Sequence, residues 1–265
     1  MLTSIELADR WSPYRVAAKM SVRSYRAHVS NGVIGWSILP RALLQAIFLV
    51  LLGGMQDGAA GRVYAGLGGI AFALIPALVT KLPDVAAEEK YMGTLGRLRM
   101  GRLGLFRLFL ARSLPYLVEA FGSWLVAFLV VPPLIGDAAL LTRFPQALAG
   151  AVVVALAGLS VGLLVTAFSL GKRADLLAGN LASYAFLLLG GVLPTVAAPG
   201  WLRVVADLVP YGAAVSCFRH AVAGRADLPA AGHAILLSGC WLIAAALVLQ
   251  YQERRFRRTG HDDFV

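Results

Sequence analysis

Six stretches of this 265-residue chain carry no more than one charged residue each, and each runs for roughly 18 residues or more. At 1.5 Å per residue a helix of that length crosses about 30 Å of hydrocarbon. The stretches are Val33 to Gly54, Val63 to Thr80, Ser113 to Ile135, Ala147 to Leu170, Leu176 to Leu193 and Ala234 to Tyr251. A backbone in lipid must satisfy its own hydrogen bonds, and these runs lack the short alternating pattern of barrel strands, so they are expected to be helices. Composition agrees: 14% of residues are charged, against about 25% in a soluble domain, and mean hydropathy is +0.75.

The net charge of +10 does not point to nucleic acid, because the basic residues cluster between the apolar runs with no aromatic-interleaved basic domain. They report orientation instead. Arg10, Arg15, Lys19, Arg23 and Arg26 precede the first run. Seven basic residues lie between the second and third runs, two (Lys172, Arg173) follow the fourth, and four stand between Arg254 and Arg258. These eighteen face one side. Arg62, Arg143, Arg203, Arg219 and Arg225 face the other, and Arg41 is left inside the first run. The expectation is a multi-pass protein of the plasma membrane with both termini in the cytoplasm. The polar, charged first thirty residues show no signal-peptide pattern.

Ser12-Pro13 reads as a helix start. Trp11, Tyr14, Ala18, Val22, Tyr25 and Val29 then recur at spacings of three and four, while Arg15, Lys19, Arg23 and Arg26 take another face. This predicts an amphipathic helix over 1–32 lying on the membrane surface. At the other end of the chain, the segment 192–230 is broken by Pro194, Pro199 and Pro210 and is too polar for a lipid-facing span. It is expected to be a re-entrant pair, with Trp201 to Leu208 going in and Tyr211 to Val222 coming out, shielded by protein or a cavity. Cys217 and Cys240 lack metal-ligand spacing and are expected to be packing residues. The chain reads as one domain, 1–265, all-α.

The stretch 81–112, between the second and third runs, is longer than a connector needs and has a charged, helical middle. It reads as a cytoplasmic contact surface. It carries Glu88, Glu89, Lys90 and then Gly93-Thr94-Leu95. Here the chain resembles the ABC-2 type permeases, the membrane subunits of many drug, lipid and polysaccharide exporters. Members often show E-x-E-x-G-T-L-E in this loop, and this chain has Glu89, Tyr91, Gly93, Thr94, Leu95 and Gly96, so two acidic positions are replaced. Gly190-Gly191 with Pro194, Pro199-Gly200-Trp201-Leu202, Pro210 and Arg219 resemble the family's outer signature. The resemblance spans nearly the whole chain. It implies that Glu88, Glu89, Gly93, Thr94 and Leu95 form a coupling helix docking in a groove of a separate ATPase, braced by Trp11 and Arg15. It also implies a second permease subunit, identical or not.

ATP hydrolysis is not expected of this chain. A P-loop needs a glycine-flexed phosphate cradle followed by Lys and Ser or Thr, but Gly171-Lys172 is followed by Arg173, and Thr166 stands where the leading glycine belongs. ATP and magnesium are therefore expected on a partner, with no cofactor or metal held here. Asp57-Gly58-Ala59-Ala60-Gly61-Arg62 only partly matches a phosphatidyltransferase motif, and no catalytic cluster is evident. Glu119 is the one acid inside a run. It is expected to pair with Arg41 at similar depth, a substrate or proton role being the sharper alternative. The path is expected between the first, second and fifth runs, where Gly32, Gly35, Gly66, Gly68, Gly69, Gly179 and Asn180 permit close packing or polar contact. Phe186, Trp201 and Tyr211, with Pro194, Pro210 and Arg219, are candidate gate residues. The reading is an ATP-driven exporter of a hydrophobic or amphipathic compound (drug, antibiotic, lipid or glycan). A membrane-embedded enzyme or a non-transport scaffold is the alternative.

Overall fold

The computed structural model describes residues 4–96, 101, 103–170, 175–193, 200–225 and 227–259, and every regular element among them is helical. Helix α1 is Ser4–His28. It does not start at Ser12-Pro13 as expected but runs through Pro13, because one proline removes a single ladder bond and the turns on either side remain intact. The face it presents to the protein also differs. Ala17 and Ser21 are buried, one turn apart and in line with Tyr25, whereas Val22 is exposed.

Helix α2, Asn31–Tyr91, is one helical stretch that turns back on itself. Asp57 (φ −145°) and Gly58 (φ +54°) leave helical geometry, and Gly58 takes a left-handed conformation that a side chain would disfavour. The two arms then pack antiparallel. A Cβ built on Gly61 would stand 2.1 Å from the Gly53 carbonyl oxygen, Gly66 faces Val50, and Gly69 faces Ala46. Each arm carries a π-helical turn, Ile34–Ile38 in the first and Pro76–Thr80 in the second.

After the Met92-Gly93 turn come α3 (Leu105–Arg112) and α4 (Leu114–Leu134), then α5 (Phe144–Ser169). Helix α5 is the hub, packing on the second arm of α2, on α6 (Asp175–Leu189), and on the last two helices. Its small residues explain why. A Cβ on Gly162 would fall 2.1 Å from the Leu78 carbonyl oxygen, and one on Gly150 would fall 2.8 Å from the Phe218 Cα. In lipid there is no hydrophobic drive between helices, so such close backbone approach is what holds them together.

Helices α7 (Gly200–Leu208) and α8 (Tyr211–Val222) meet at a 78° bend, with Pro210 at the start of α8, which agrees with the break read from the sequence. Helix α9 is Leu228–Thr259. Cys217 is buried as expected, but Cys240 lies on an exposed face of α9 and packs no core.

By length and apolar character the described helices supply four crossings, or five with the bent pair, against the six expected. The difference lies in two places. Helix α2 counts once although it reverses at Asp57-Gly58. Helix α6 has 15 described residues, roughly 22 Å, and Gly190 and Gly191 (φ +58°) end it at Leu189 rather than Leu193.

Candidate functional site

The described part of the stretch 81–112, expected to be a cytoplasmic contact surface, is largely packed into the protein. The end of α2 and α3 bury Leu82, Ala86, Leu105 and Phe109 in an apolar cluster with α5 and α9. Leu95 belongs to that cluster and is 3% exposed, so it holds the segment down rather than displaying itself. Gly93 takes φ +65°, and the turn around it is closed by Thr94, whose amide and hydroxyl both donate to the Glu89 carbonyl oxygen, at 3.0 and 3.3 Å. The Thr94 hydroxyl also donates to the Glu89 carboxylate.

The other Glu89 carboxylate oxygen accepts from the Arg112 guanidinium, with both side chains mostly buried. Ser21 of α1 donates to the Arg112 carbonyl oxygen at 3.0 Å. A chain of polar contacts thus runs from α1 through Arg112 and Glu89 to the Gly93 turn. What the turn shows to its surroundings is Glu88, Tyr91, Met92 and Gly93. The sequence showed Tyr91 only as a replaced acidic position and gave Met92 no role, although two large side chains just before a turn glycine were a usable signal. Arg15 is exposed on α1, and the side chain of Trp11 lies outside the described part of the structure.

Glu119 sits beside this junction. It does not pair with Arg41. One of its oxygens accepts from Lys81 and the other from the Tyr25 hydroxyl at 2.6 Å, and its side chain is 4% exposed. The antiparallel register explains the miss. Ala46 opposite Gly69 places Arg41 level with residue 74, about seven residues or roughly 10 Å along the bundle from Lys81. Burial, and then the Glu119 carboxylate, push the Tyr25 phenol above its ordinary range, so it remains a donor. Tyr25 also meets the Tyr116 ring edge-on at 5.4 Å.

A groove of about 690 Å³ opens between the two arms of α2 and α6. Ser37, Arg41, Gln45 and Phe48 line it from the first arm, and Phe72, Pro76 and Thr80 from the second. Asn180, Ser183 and Tyr184 close it from α6, with Trp36 at the rim. Both π-helical turns contribute lining residues, and such turns are frequent at functional sites because they re-aim side chains. The Thr80 and Ser183 hydroxyls, 2.8 Å apart, tie the second arm to α6.

Asn180 thus lines this groove, whereas the glycines expected to permit close packing or polar contact are not in its lining. Gly66, Gly68, Gly69 and Gly179 press on neighbouring helices. Phe186 is likewise absent from the lining, buried between Phe72 (5.6 Å) and Tyr211 (4.4 Å) in the core.

At the opposite end of the bundle, Arg219 gathers three elements. Its Nη2 donates to the carbonyl oxygens of Tyr64 at 3.1 Å and Gly191 at 2.8 Å, and its guanidinium lies 3.6 Å from the centre of the Tyr64 ring. A cation at the carbonyl end of α6 also complements the helix dipole there. Tyr211 is buried, Trp201 is exposed on α7, and Pro194 falls outside the described residues. Nearby, Asp227 accepts from the Ala230 amide at 3.0 Å and meets His220 Nδ1 at 2.5 Å, so it caps the start of α9. The Ala230 amide, more than His220, holds its carboxyl below the usual range.

A family profile described as ABC-2 type transporter matches residues 18–222, which take in the hairpin, the junction, the groove and the bent pair. No curated protein matches the chain.

Proposed function

Because the chain belongs to the ABC-2 type transporter family, a family of transport permeases, we propose that it is the membrane subunit of an exporter driven by a separate cytoplasmic ATPase. Two permease subunits, identical or not, assemble with two ATPases, which carry the ATP and magnesium. Both termini lie in the cytoplasm, and six spans cross the plasma membrane once the arms of α2 and the short α6 are counted separately. The cargo is a hydrophobic or amphipathic compound, leaving along the groove between α2 and α6.

The observation that carries this reading is the junction. Tyr91, Met92 and Gly93 stand exposed at the end of α2, while the turn behind them is locked through Glu89 and Arg112 onto α3 and α1. A push on that surface moves several helices together instead of bending one loop. In the exporter, closure of the ATPases pushes there and opens the path between the subunits. Arg219 ties both walls of the groove to α8, so the opposite end moves with them.

The chain is expected to co-purify with an ATPase encoded separately. Replacing both Tyr91 and Met92 with Ala, or Gly93 with Val, is expected to leave the spans folded while hydrolysis no longer drives transport in reconstituted vesicles. Full transport by the chain purified free of any ATPase would sink the reading.

A further inference from the structure

Arg41, exposed along the groove, differs from four other basic side chains of the helices. Lys81 is matched by Glu119, Arg112 by Glu89, and Arg143 and Arg219 by backbone carbonyl oxygens. Among the described residues Arg41 has no ion pair or hydrogen bond, and no acidic side chain lines the groove it enters. The acid expected to neutralise it is already shared by Lys81 and Tyr25.

The hairpin register puts Arg41 roughly 10 Å along the bundle from Lys81, inside the apolar run Val33 to Gly54, where a cation with no partner is costly and is by default a candidate for function. Its surroundings are of two kinds. Leu44, Phe48 and Phe72 form an apolar wall, while Gln45 and Asn180 offer amide groups. The volume is that of a small-molecule pocket.

We propose that the transported compound is an amphipathic anion, its carboxylate or phosphate held by Arg41 and its apolar body laid against Phe48 and Phe72. This rests on the groove being the transport path. Arg41 is then the residue that selects cargo by charge, and the groove is balanced electrically only when loaded.

The test uses the full chain with its co-purified ATPase in phosphatidylcholine nanodiscs. It is titrated with a dansyl-labelled medium-chain fatty acid and, separately, with the methyl ester of the same probe. The acid is expected to bind at least about tenfold more tightly than the ester. Arg41→Gln should erase that preference while leaving the ester affinity within about twofold, and Arg41→Lys should keep most of it. Equal binding of acid and ester to the native chain, with both lost in Asn180→Trp, overturns the anion assignment and leaves the transport groove standing. Absence of binding by either probe, with hydrolysis indifferent to both, removes the transport reading as well. The preference must also survive in phosphatidylglycerol nanodiscs. Its disappearance there would make a lipid headgroup the partner of Arg41 and overturn the proposal.

Discussion

Glu119 occupies a place where a carboxylate is tolerated only if its charge is met, and Lys81 and Tyr25 meet it from two different elements. With both oxygens engaged and the side chain absent from the groove lining, a structural role is expected of it. Glu119→Gln is expected to cost about 1–3 kcal/mol, because Lys81 loses its partner but keeps access to water. The thermal midpoint in detergent should fall while transport per folded molecule is unchanged. Glu89→Gln acts on the junction instead. It breaks the link to Arg112, and the ATP hydrolysed per molecule transported should rise, with a comparable loss of stability of about 1–3 kcal/mol. The position of Glu119 within a span was legible from the sequence. Its partner was not, since that depends on the register of a hairpin formed far away at Asp57-Gly58. Asp227 gives a pH prediction. Its carboxyl is held below the ordinary value of 3.8, so the stabilising cap is fully present above that value and is lost only as the pH falls through the lower folded value. Protection of the first-turn amides of α9 against hydrogen exchange, relative to their intrinsic rates, should therefore stay high at neutral pH, fall only in strong acid, and be low at both in Asp227→Ala.

At the scale of elements, the apolar runs located the membrane helices well because length and charge content are local properties. What they missed were events decided by neighbours. Helix α1 passes through Pro13, α6 stops at Leu189, and the supposed loop over 81–112 folds into a cluster with α5 and α9. Pro210 was legible as a break because proline acts on its own backbone. The role of α5 as hub was not, since no feature of Gly162 says which backbone it will touch. That contact yields a sharp expectation. Gly162→Val places a Cβ about where the Leu78 carbonyl oxygen lies, and such overpacking costs roughly 1–3 kcal/mol or more. Gly35→Val, at a glycine with nothing within 4 Å of an added Cβ, is the matched control. The first should lower the monodisperse fraction on size exclusion sharply, and the second should leave it near the native level.

The whole molecule presents its groove between two helices that are themselves uncovered. Leu44, Phe48, Leu51 and Met55 form an exposed stripe at spacings of three and four on the first arm of α2, and Leu177, Leu181, Tyr184 and Leu188 form another on α6. A single subunit would leave the groove open to lipid along one side. A second copy laid against the same two stripes would close it into a path and bury both stripes at once, as the self-complementary interface of a two-fold dimer does. Helix α9 also exposes apolar residues, Ile235, Leu236, Ile243 and Leu247, which do not line the groove, so that face is expected to meet lipid. The two surfaces can be told apart by crosslinking in native membranes, starting from a chain in which Cys217 and Cys240 are replaced by Ser. Leu44→Cys and Leu181→Cys are expected to form intersubunit disulfides under mild oxidation, whereas Ile243→Cys, equally exposed, is expected to form none. Crosslinking confined to Ile243→Cys would place the subunit interface on α9 and leave the groove facing lipid. Addition of ATP with the ATPase present should lower the yield at Leu44→Cys, because the proposed mechanism has closure of the ATPases at the Tyr91–Gly93 surface separate the two first arms as the path opens.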